Sequence, residues 1–315
     1  MSGKATATET VCVTGGAGFI GSHLATALVE AGHSVRVLDD FSTGRQEHLE
    51  PIRDRITIVD GSILDSNALD EALAGSTLVH HHAARVSVPE SLEDPVRYRE
   101  TNIDGTLAVL EAARRHRVRR MVYAGSCSAY GDLDGLPKLE SDPVHPTSPY
   151  AATKLAGEDL TASYAVSYAI DTVRLRYFNV YGPRQAHDSA YAAVVPRFMD
   201  ALSGDGHAVV FGDGLQTRDF VHVGDVVQAN LLAGFHPEPL GGDVFNVGSG
   251  DRRSIISVLE DVASVLGCPV RVRHEPARDG EVRHSEASIE RINTRLGFVP
   301  RRSFRESLAQ MVSHV

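Results

Sequence analysis

The chain has 315 residues, 42% of them apolar and 23% charged, which is enough to bury a sizeable core. Its formal net charge of -10 argues against nucleic acid as a partner, although local arginines and helix N-termini can still bind a phosphate. The three cysteines, Cys12, Cys127 and Cys268, are scattered and show no C-x-x-C spacing, so neither a disulfide framework nor a metal site is expected. The opening MSGKATATET lacks the apolar core of a signal peptide, and no apolar run approaches membrane-spanning length. A soluble cytoplasmic protein is the expectation.

The first half alternates strand-like and helix-like patterns. Residues 10–14 (TVCVT) form a β-branched run, followed by glycines and then by Ile20, Leu24, Ala27 and Leu28 at helical spacing. Further strands are predicted at 34–38, 55–59, 77–80, 120–124 and 171–175, and a helix over 150–169. Repeated βα units predict a doubly wound parallel sheet with helices on both faces. After Asn179 the pattern becomes irregular, with prolines and glycines marking loops. A helix is predicted over 221–233, a late strand over 244–247, and helices of a smaller domain over 254–267 and 286–296. The division expected is a dinucleotide-binding domain over 1–179, with a return strand near 220–247, and a mainly substrate-binding domain over 180–315.

Two local patterns carry chemistry. In VTGGAGFIG, Gly16, Gly18 and Gly21 satisfy G-x-G-x-x-G, and Gly15 adds the three-residue spacing. Such a turn lets the backbone approach a pyrophosphate at a helix N-terminus. Asp39 ends the second strand, where a carboxylate accepts from ribose hydroxyls and repels a 2′-phosphate, so NAD is expected rather than NADP. In YAATK, Tyr150 and Lys154 are four apart and share a helix face. An ammonium there is expected to lower the phenol pKa, so that the phenolate can take a hydroxyl proton as hydride leaves the same carbon. Ser126 is the candidate hydroxyl donor opposite. His80, His81 and His82 alternate faces along a strand, so convergence on one metal is not expected.

The ordered motifs TGGAGFIG, LDDFSTG, HHAARVSVPES, NIDGT, VYAGSCSAYGD, SPYAATK, RYFNVYGPRQ, FGDGLQTRDFVHVGD, NVGSG and RDGEVRHS cover nearly the whole chain. With them the chain resembles the extended short-chain dehydrogenase/reductase superfamily, and within it the NAD-dependent nucleotide-sugar epimerases and dehydratases. The resemblance implies a Rossmann-type fold, a catalytic set of Ser126, Tyr150 and Lys154, and a homodimer. It places Gly15, Gly18, Phe19, Ile20, Gly21, Asp39, Asp40, Ser42 and Gly44 at the cofactor. With them it places Ser62, Ile63, His81, Ala83, Ala84, Asn102, Tyr150, Lys154 and Tyr177. It places Ser87, Ser126, Ser128, Asn179, Val195, Phe211, Arg218, Arg278, Glu281 and Ser285 at a UDP-sugar.

Dehydratases and decarboxylases of the superfamily carry an acid just after the catalytic Ser or Thr. Here Ser126 is followed by Cys127, Ser128 and Ala129. The expected reaction is therefore 4-epimerisation, by C4 oxidation and return of the hydride to the opposite face. A dehydratase or decarboxylase with a displaced acid, a net dehydrogenase, and a non-catalytic NAD-sensing protein are the alternatives. Ser285 stands where epimerases restricted to glucose and galactose carry a tyrosine, which implies room for N-acetylhexosamines.

Overall fold

A computed structural model describes residues 8–186, 193–204, 206–277 and 282–312. Strands β1 (Thr10–Thr14), β2 (Ser34–Asp39), β3 (Ile56–Asp60), β4 (Leu78–His81), β5 (Arg120–Ser126) and β6 (Asp171–Tyr177) fall on the expected runs. They are followed by β7 (Asn179–Tyr181), β8 (Ala208–Phe211), β9 (Thr217–His222), β10 (Asp243–Val247), β11 (Arg252–Ser254) and β12 (Val272–Glu275). Seven of these form one parallel sheet in the order β3-β2-β1-β4-β5-β6-β10. The chain runs outward from β1 to β3, then crosses back to β4. A crevice opens beyond the C-terminal ends of β1 and β4, where this reversal occurs, and ligands of such sheets bind there.

The helices are α1 (Phe19–Glu30), α2 (Ser66–Leu73), α3 (Val88–Glu93), α4 (Pro95–Arg99), α5 (Gly105–Arg115) and α6 (Pro149–Ser167), then α7 (Val194–Ser203), α8 (Val223–Gly234), α9 (Ile255–Leu266), α10 (Glu290–Leu296) and α11 (Phe304–Val312). Their starts are chemically specified: the side chains of Asp65, Ser148 and Ser254 accept from the backbone N–H groups of Asn67, Ala151 and Ser257. α9 ends on Gly267 in the left-handed conformation.

Strand periodicity sorts the core into two layers. Val11, Val13, Val35 and Val37 face a layer with Leu24 and Leu28 of α1 and Val226 and Ala229 of α8. Cys12, Leu38 and Val79 face the other, with Leu69 and Leu73 of α2 and Val109 and Leu110 of α5. This Rossmann-type fold carries a third core beside it, built from Tyr181, Phe198, Val210, Phe220, Val258, Leu259, Val262, Phe304 and Leu308. That core joins the small β11-β9-β7 and β12-β8 sheets to α7, α9 and α11.

Two expectations need correction. The helix expected over 221–233 starts at Val223, because Val221 and His222 complete β9 and the His222 ring accepts from the Gly224 N–H at 3.0 Å. The helix expected over 286–296 starts at Glu290, and it does not belong to the smaller unit. Ile292 and Leu296 pack with Phe298 into the α1/α8 layer of the main sheet. Spacing fixed the apolar face of this helix but not which of two cores it meets.

At the opposite end of the sheet from the crevice, Arg120 is 2% exposed. Its Nε donates to Asp171 Oδ2 at 2.5 Å, and its other nitrogens donate to the carbonyls of Ala233, Gly234, His236 and Glu238. One guanidinium thereby caps the C-terminus of α8 and pins the chain leading to β10. Among the described residues, no helix is long and apolar enough to cross a membrane.

Candidate active site

The glycine turn between β1 and α1 is shaped by close approach. Gly15 has φ +68°, and a Cβ there would lie 2.6 Å from the Ala83 nitrogen. A Cβ on Gly21 would lie 2.1 Å from the Gly15 carbonyl oxygen, so α1 packs hard onto its own turn. Gly18 differs: its Cβ would meet only the Gly15 oxygen at 3.2 Å, and beyond that it borders the cleft. α1 starts with no side-chain cap and no acid in its first turn, so its positive end is left for a ligand.

The cleft at this turn has a volume of about 340 Å³. Of the cofactor positions expected from sequence, Gly15, Gly18, Phe19, Ile20, Gly21, Asp39, Asp40, Ser42 and Gly44 line it, as do Ser62, Ile63, Ala83, Ala84, Tyr150, Lys154 and Tyr177. Asp39 accepts from the Ala17 N–H at 2.8 Å and from the Phe41 N–H at 2.9 Å. It therefore braces the glycine turn against the end of β2, and each oxygen keeps a lone pair. Burial raises its pKa, and those two backbone bonds oppose the rise. The Asp40 carboxylate is taken up by the Ser42 N–H and hydroxyl. A backbone cradle that excludes Cβ atoms, an uncapped helix start and an acid at the end of β2 together fit a dinucleotide.

Two of the expected cofactor residues do not line the cleft. His81 lies beneath it, with Nδ1 2.7 Å from Thr14 Oγ1 and Nε2 3.1 Å from Thr106 Oγ1. Asn102 sits on a π-helical turn between α4 and α5, 1% exposed, and holds the Arg85 backbone through both its N–H and its carbonyl while donating to Thr153 Oγ1. His80 and His82 are on the other face from His81, with rings 6.4 Å apart. Burial holds all three imidazoles neutral, pushing His80 down to about 3 and His82 to about 4.

Ser126 at the end of β5, and Tyr150 and Lys154 in the first turns of α6, also meet in this cleft. Ser126 faces Tyr150 closely enough to lower its pKa, and Ser126 Oγ accepts from Ser128 Oγ at 2.8 Å. Accepting from Ser128 leaves the Ser126 proton to be donated elsewhere. Lys154 Nζ lies 4.5 Å from the centre of the Tyr123 ring, whose hydroxyl donates to the Lys154 carbonyl.

The pKa expectation is corrected here. Burial pushes the Tyr150 phenol up to about 12, with the Ser126 hydrogen bond opposing, and pushes Lys154 down to about 7. Within this chain alone, burial is the largest influence on both groups, and each shift moves against the charged form.

A second cleft of about 390 Å³ adjoins the first, walled by β7, β8, β9 and α7 of the smaller unit with Val88 of α3. It is lined by Asn179, Val195, Phe211 and Arg218 of the expected substrate residues. Arg218 donates to the carbonyls of Thr217 and Arg283, and Asn179 to that of Asp219. Ser285 is 9% exposed, paired to Thr217 through its backbone, and lies beside the Cys127 thiol. Burial pushes that thiol up to about 12, an unreactive state. Ser87 caps α3 by accepting from the Glu90 N–H. Arg278 and Glu281 lie outside the described residues.

Sequence reasoning missed several lining residues. Val180 and Gln185 border both clefts, and Gln185 donates to the Val180 carbonyl at 2.9 Å. Arg85 lines the first cleft and pairs with Glu90 at 3.2 Å. The position of Gln185 just after GPR was the available signal; Arg85 offered none.

The profile of the NAD dependent epimerase/dehydratase family matches residues 11–248. A UDP-glucose 4-epimerase of Mycolicibacterium smegmatis is 39% identical over 305 residues, covering 95% of this chain and 96% of its own. A UDP-N-acetyl-alpha-D-glucosaminuronate decarboxylase of Bacillus cytotoxicus is 38% identical over 271 residues, covering 84% and 82%. Among solved structures, a UDP-N-acetylglucosamine 4-epimerase from Methanobrevibacter ruminantium, in complex with UDP-N-acetylmuramic acid, superposes with a TM-score of 0.93 at 36% identity, covering 98% of each chain. A Thermus thermophilus UDP-glucose 4-epimerase in complex with NAD gives 0.88 at 35% identity, covering 97% and 98%. The glycine cradle and the Ser126, Tyr150 and Lys154 cluster thus sit in a chain similar to these enzymes along nearly its whole length, and the chain belongs to the NAD-dependent epimerase/dehydratase family, in the extended branch of the short-chain dehydrogenases/reductases.

Proposed function

We propose that this enzyme is a UDP-sugar 4-epimerase that accepts N-acetylhexosamines. The observation that carries the reading is the makeup of the two clefts. Among the described residues lining them, the only carboxylates are Asp39 and Asp40, and Ser126 is followed by a thiol and a hydroxyl. After oxidation at C4, none of the described residues lining the clefts is an acid beyond these two, and that favours return of the hydride over expulsion of a hydroxyl.

Bound NAD supplies the hydride acceptor and a positive charge. Tyr150 takes the proton from the sugar 4-hydroxyl and returns it to the reduced product. Ser126 donates to the same oxygen, with Ser128 fixing its orientation. Lys154 stabilises the phenolate. In this reading residues 1–179 and the return segment hold the dinucleotide, and residues 180–315 mainly hold the sugar nucleotide. Arg218 and Arg278 take the diphosphate, suited by their planar donor forks. Asn179, Val195 and Phe211 complete the nucleotide pocket, Glu281 the ribose contact, and Ser87 and Ser128 the sugar contacts.

The test is a panel of UDP- and dTDP-sugars with product resolution by proton NMR. A C4 epimer formed without net change in NADH supports the reading. A dehydrated or decarboxylated product overturns it in favour of the chemistry named for the Bacillus cytotoxicus relative. Substrate range has its own test. Ser285→Tyr fills the space beside Cys127 and is expected to lower kcat/KM about 10- to 100-fold for UDP-GlcNAc while sparing UDP-glucose. Equal loss on both sugars would remove Ser285 as the determinant.

A cytoplasmic homodimer completes the proposal. Exposed apolar side chains on α3 to α6, among them Leu92, Val96, Leu107 and Val166, supply surface for it, and sedimentation would reveal a monomer if it is wrong.

A further inference from the structure

α6 carries a buried carboxylate in line with Tyr150 and Lys154. Glu158 follows Lys154 by four residues, one turn along the same face, and is 2% exposed. A carboxylate is costly to bury unless it is paired with good geometry. Arg176 Nε donates to both Glu158 oxygens at 3.2 and 3.0 Å, Arg176 Nη2 donates to Oε1 at 2.6 Å, and Arg174 Nη1 reaches Oε1 at 3.5 Å. The two arginines are two residues apart on β6, so both face α6.

The clamp extends toward Ser126. The Arg176 guanidinium lies over the Tyr130 ring at 4.7 Å, and Tyr130 ends the short helical turn that Ser126 caps. The Tyr130 hydroxyl donates to Asn246 Oδ1 at 2.7 Å. Gly125, which precedes Ser126, lets the strand approach the carboxylate: a Cβ there would stand 3.4 Å from Glu158 Oε2. The ion pair therefore touches both the helix turn bearing Lys154 and the strand end bearing Ser126.

We propose that Glu158, clamped by Arg176, is a positioning residue that keeps Lys154 charged and holds it in register with Ser126 and Tyr150. This rests on the reading of Tyr150 and Lys154 as the proton-transfer pair. The surroundings of Lys154 leave the role to this residue. From β4 and its end come His81 and His82, both neutral. From β5 comes the face of the Tyr123 ring. From α6 come Tyr150, whose phenol burial pushes up, and Glu158. From β6 come Arg174 and Arg176, both directed at Glu158. Burial pushes Lys154 down, and the Glu158 charge pulls it back up.

The test compares wild type, Glu158→Gln, Glu158→Asp and the double variant Glu158→Gln/Arg176→Gln, all saturated with NAD. The double variant avoids leaving Arg176 buried without its partner, which separates folding from catalysis. Measured are kcat and KM for the UDP-sugar, the pH profile of kcat, and thermal melting. Activity that needs charged Lys154 is present below its pKa and is lost as pH rises through it. Removing the Glu158 charge lowers that pKa, so the alkaline limb moves toward lower pH by about one unit. Above the limb, this means about tenfold lower kcat, with KM changed less than about twofold. Glu158→Asp keeps the charge and should keep the limb. A folded double variant with the wild-type limb and kcat overturns the proposal. So does failure of both glutamine variants to fold, because the pair then serves the fold as a whole. A wild-type enzyme silent on every UDP-sugar overturns the proposed function, and this positioning role with it.

Discussion

Tyr150→Phe is expected to lower kcat for UDP-sugar epimerisation between about 100-fold and about 10,000-fold, the span a positioned general acid–base supplies. The phenol ring stays, so the edge-on packing against Tyr98, with ring centres 6.4 Å apart, is kept. Only the hydroxyl facing Ser126 is lost. KM and NAD affinity should change little, because the glycine turn and Arg218 are untouched. This follows from differential binding: an interaction made mainly in the transition state appears in kcat rather than KM. Steady-state kinetics by a coupled assay, with NAD binding followed by fluorescence, checks it. A kcat within about tenfold of wild type would remove Tyr150 from proton transfer.

Arg120→Leu is expected to lower folding stability by about 3–5 kcal/mol, the cost of breaking a buried pair by removing one partner. Asp171 would remain 14% exposed in its side chain, and the four carbonyls at and just beyond the end of α8 would lose the Arg120 donor. The melting temperature should fall on the order of 10 °C. The crevice lies at the other end of the strands, so kcat of the folded fraction should stay near wild type. Adding Asp171→Asn should recover part of the loss, because the uncompensated charge is then gone. Calorimetry of the single and double variants decides it, and an unchanged melt for Arg120→Leu would show that the other contacts suffice.

Much of the fold was legible because its strands are buried on both faces. Runs such as TVCVT and RMVYA read as strands without reference to partners, and the glycine turn and YAATK carry spacing that a helix or a phosphate cradle requires. What was not legible depended on long-range neighbours. The 290–296 helix shows its apolar face in sequence, but its place against β10 and α8 is a tertiary fact. The direction of the Tyr150 and Lys154 shifts could not be read from their spacing, because it is set chiefly by burial. His81 looked like a cofactor contact, yet its two ring nitrogens are engaged by Thr14 and Thr106. Arg85 enters the cleft through a backbone held by Asn102, seventeen residues later in the chain.

The seventh strand of the main sheet, β10, comes from far along the chain, after the segments that wall the second cleft. α8 and α10 return with it to the first core. One crossover near residue 179 therefore does not separate the two units, because it also replaces the strand and helices that complete the first core. A chain cut after residue 179 would leave β6 as an open edge, with Val173 and Leu175 stripped of cover and a row of unpaired backbone groups ready to aggregate. Recombination that retunes the sugar site has to keep the return segment together with the first half. In this architecture new substrate ranges are reached by changing residues within the loops and the smaller unit, rather than by trading modules.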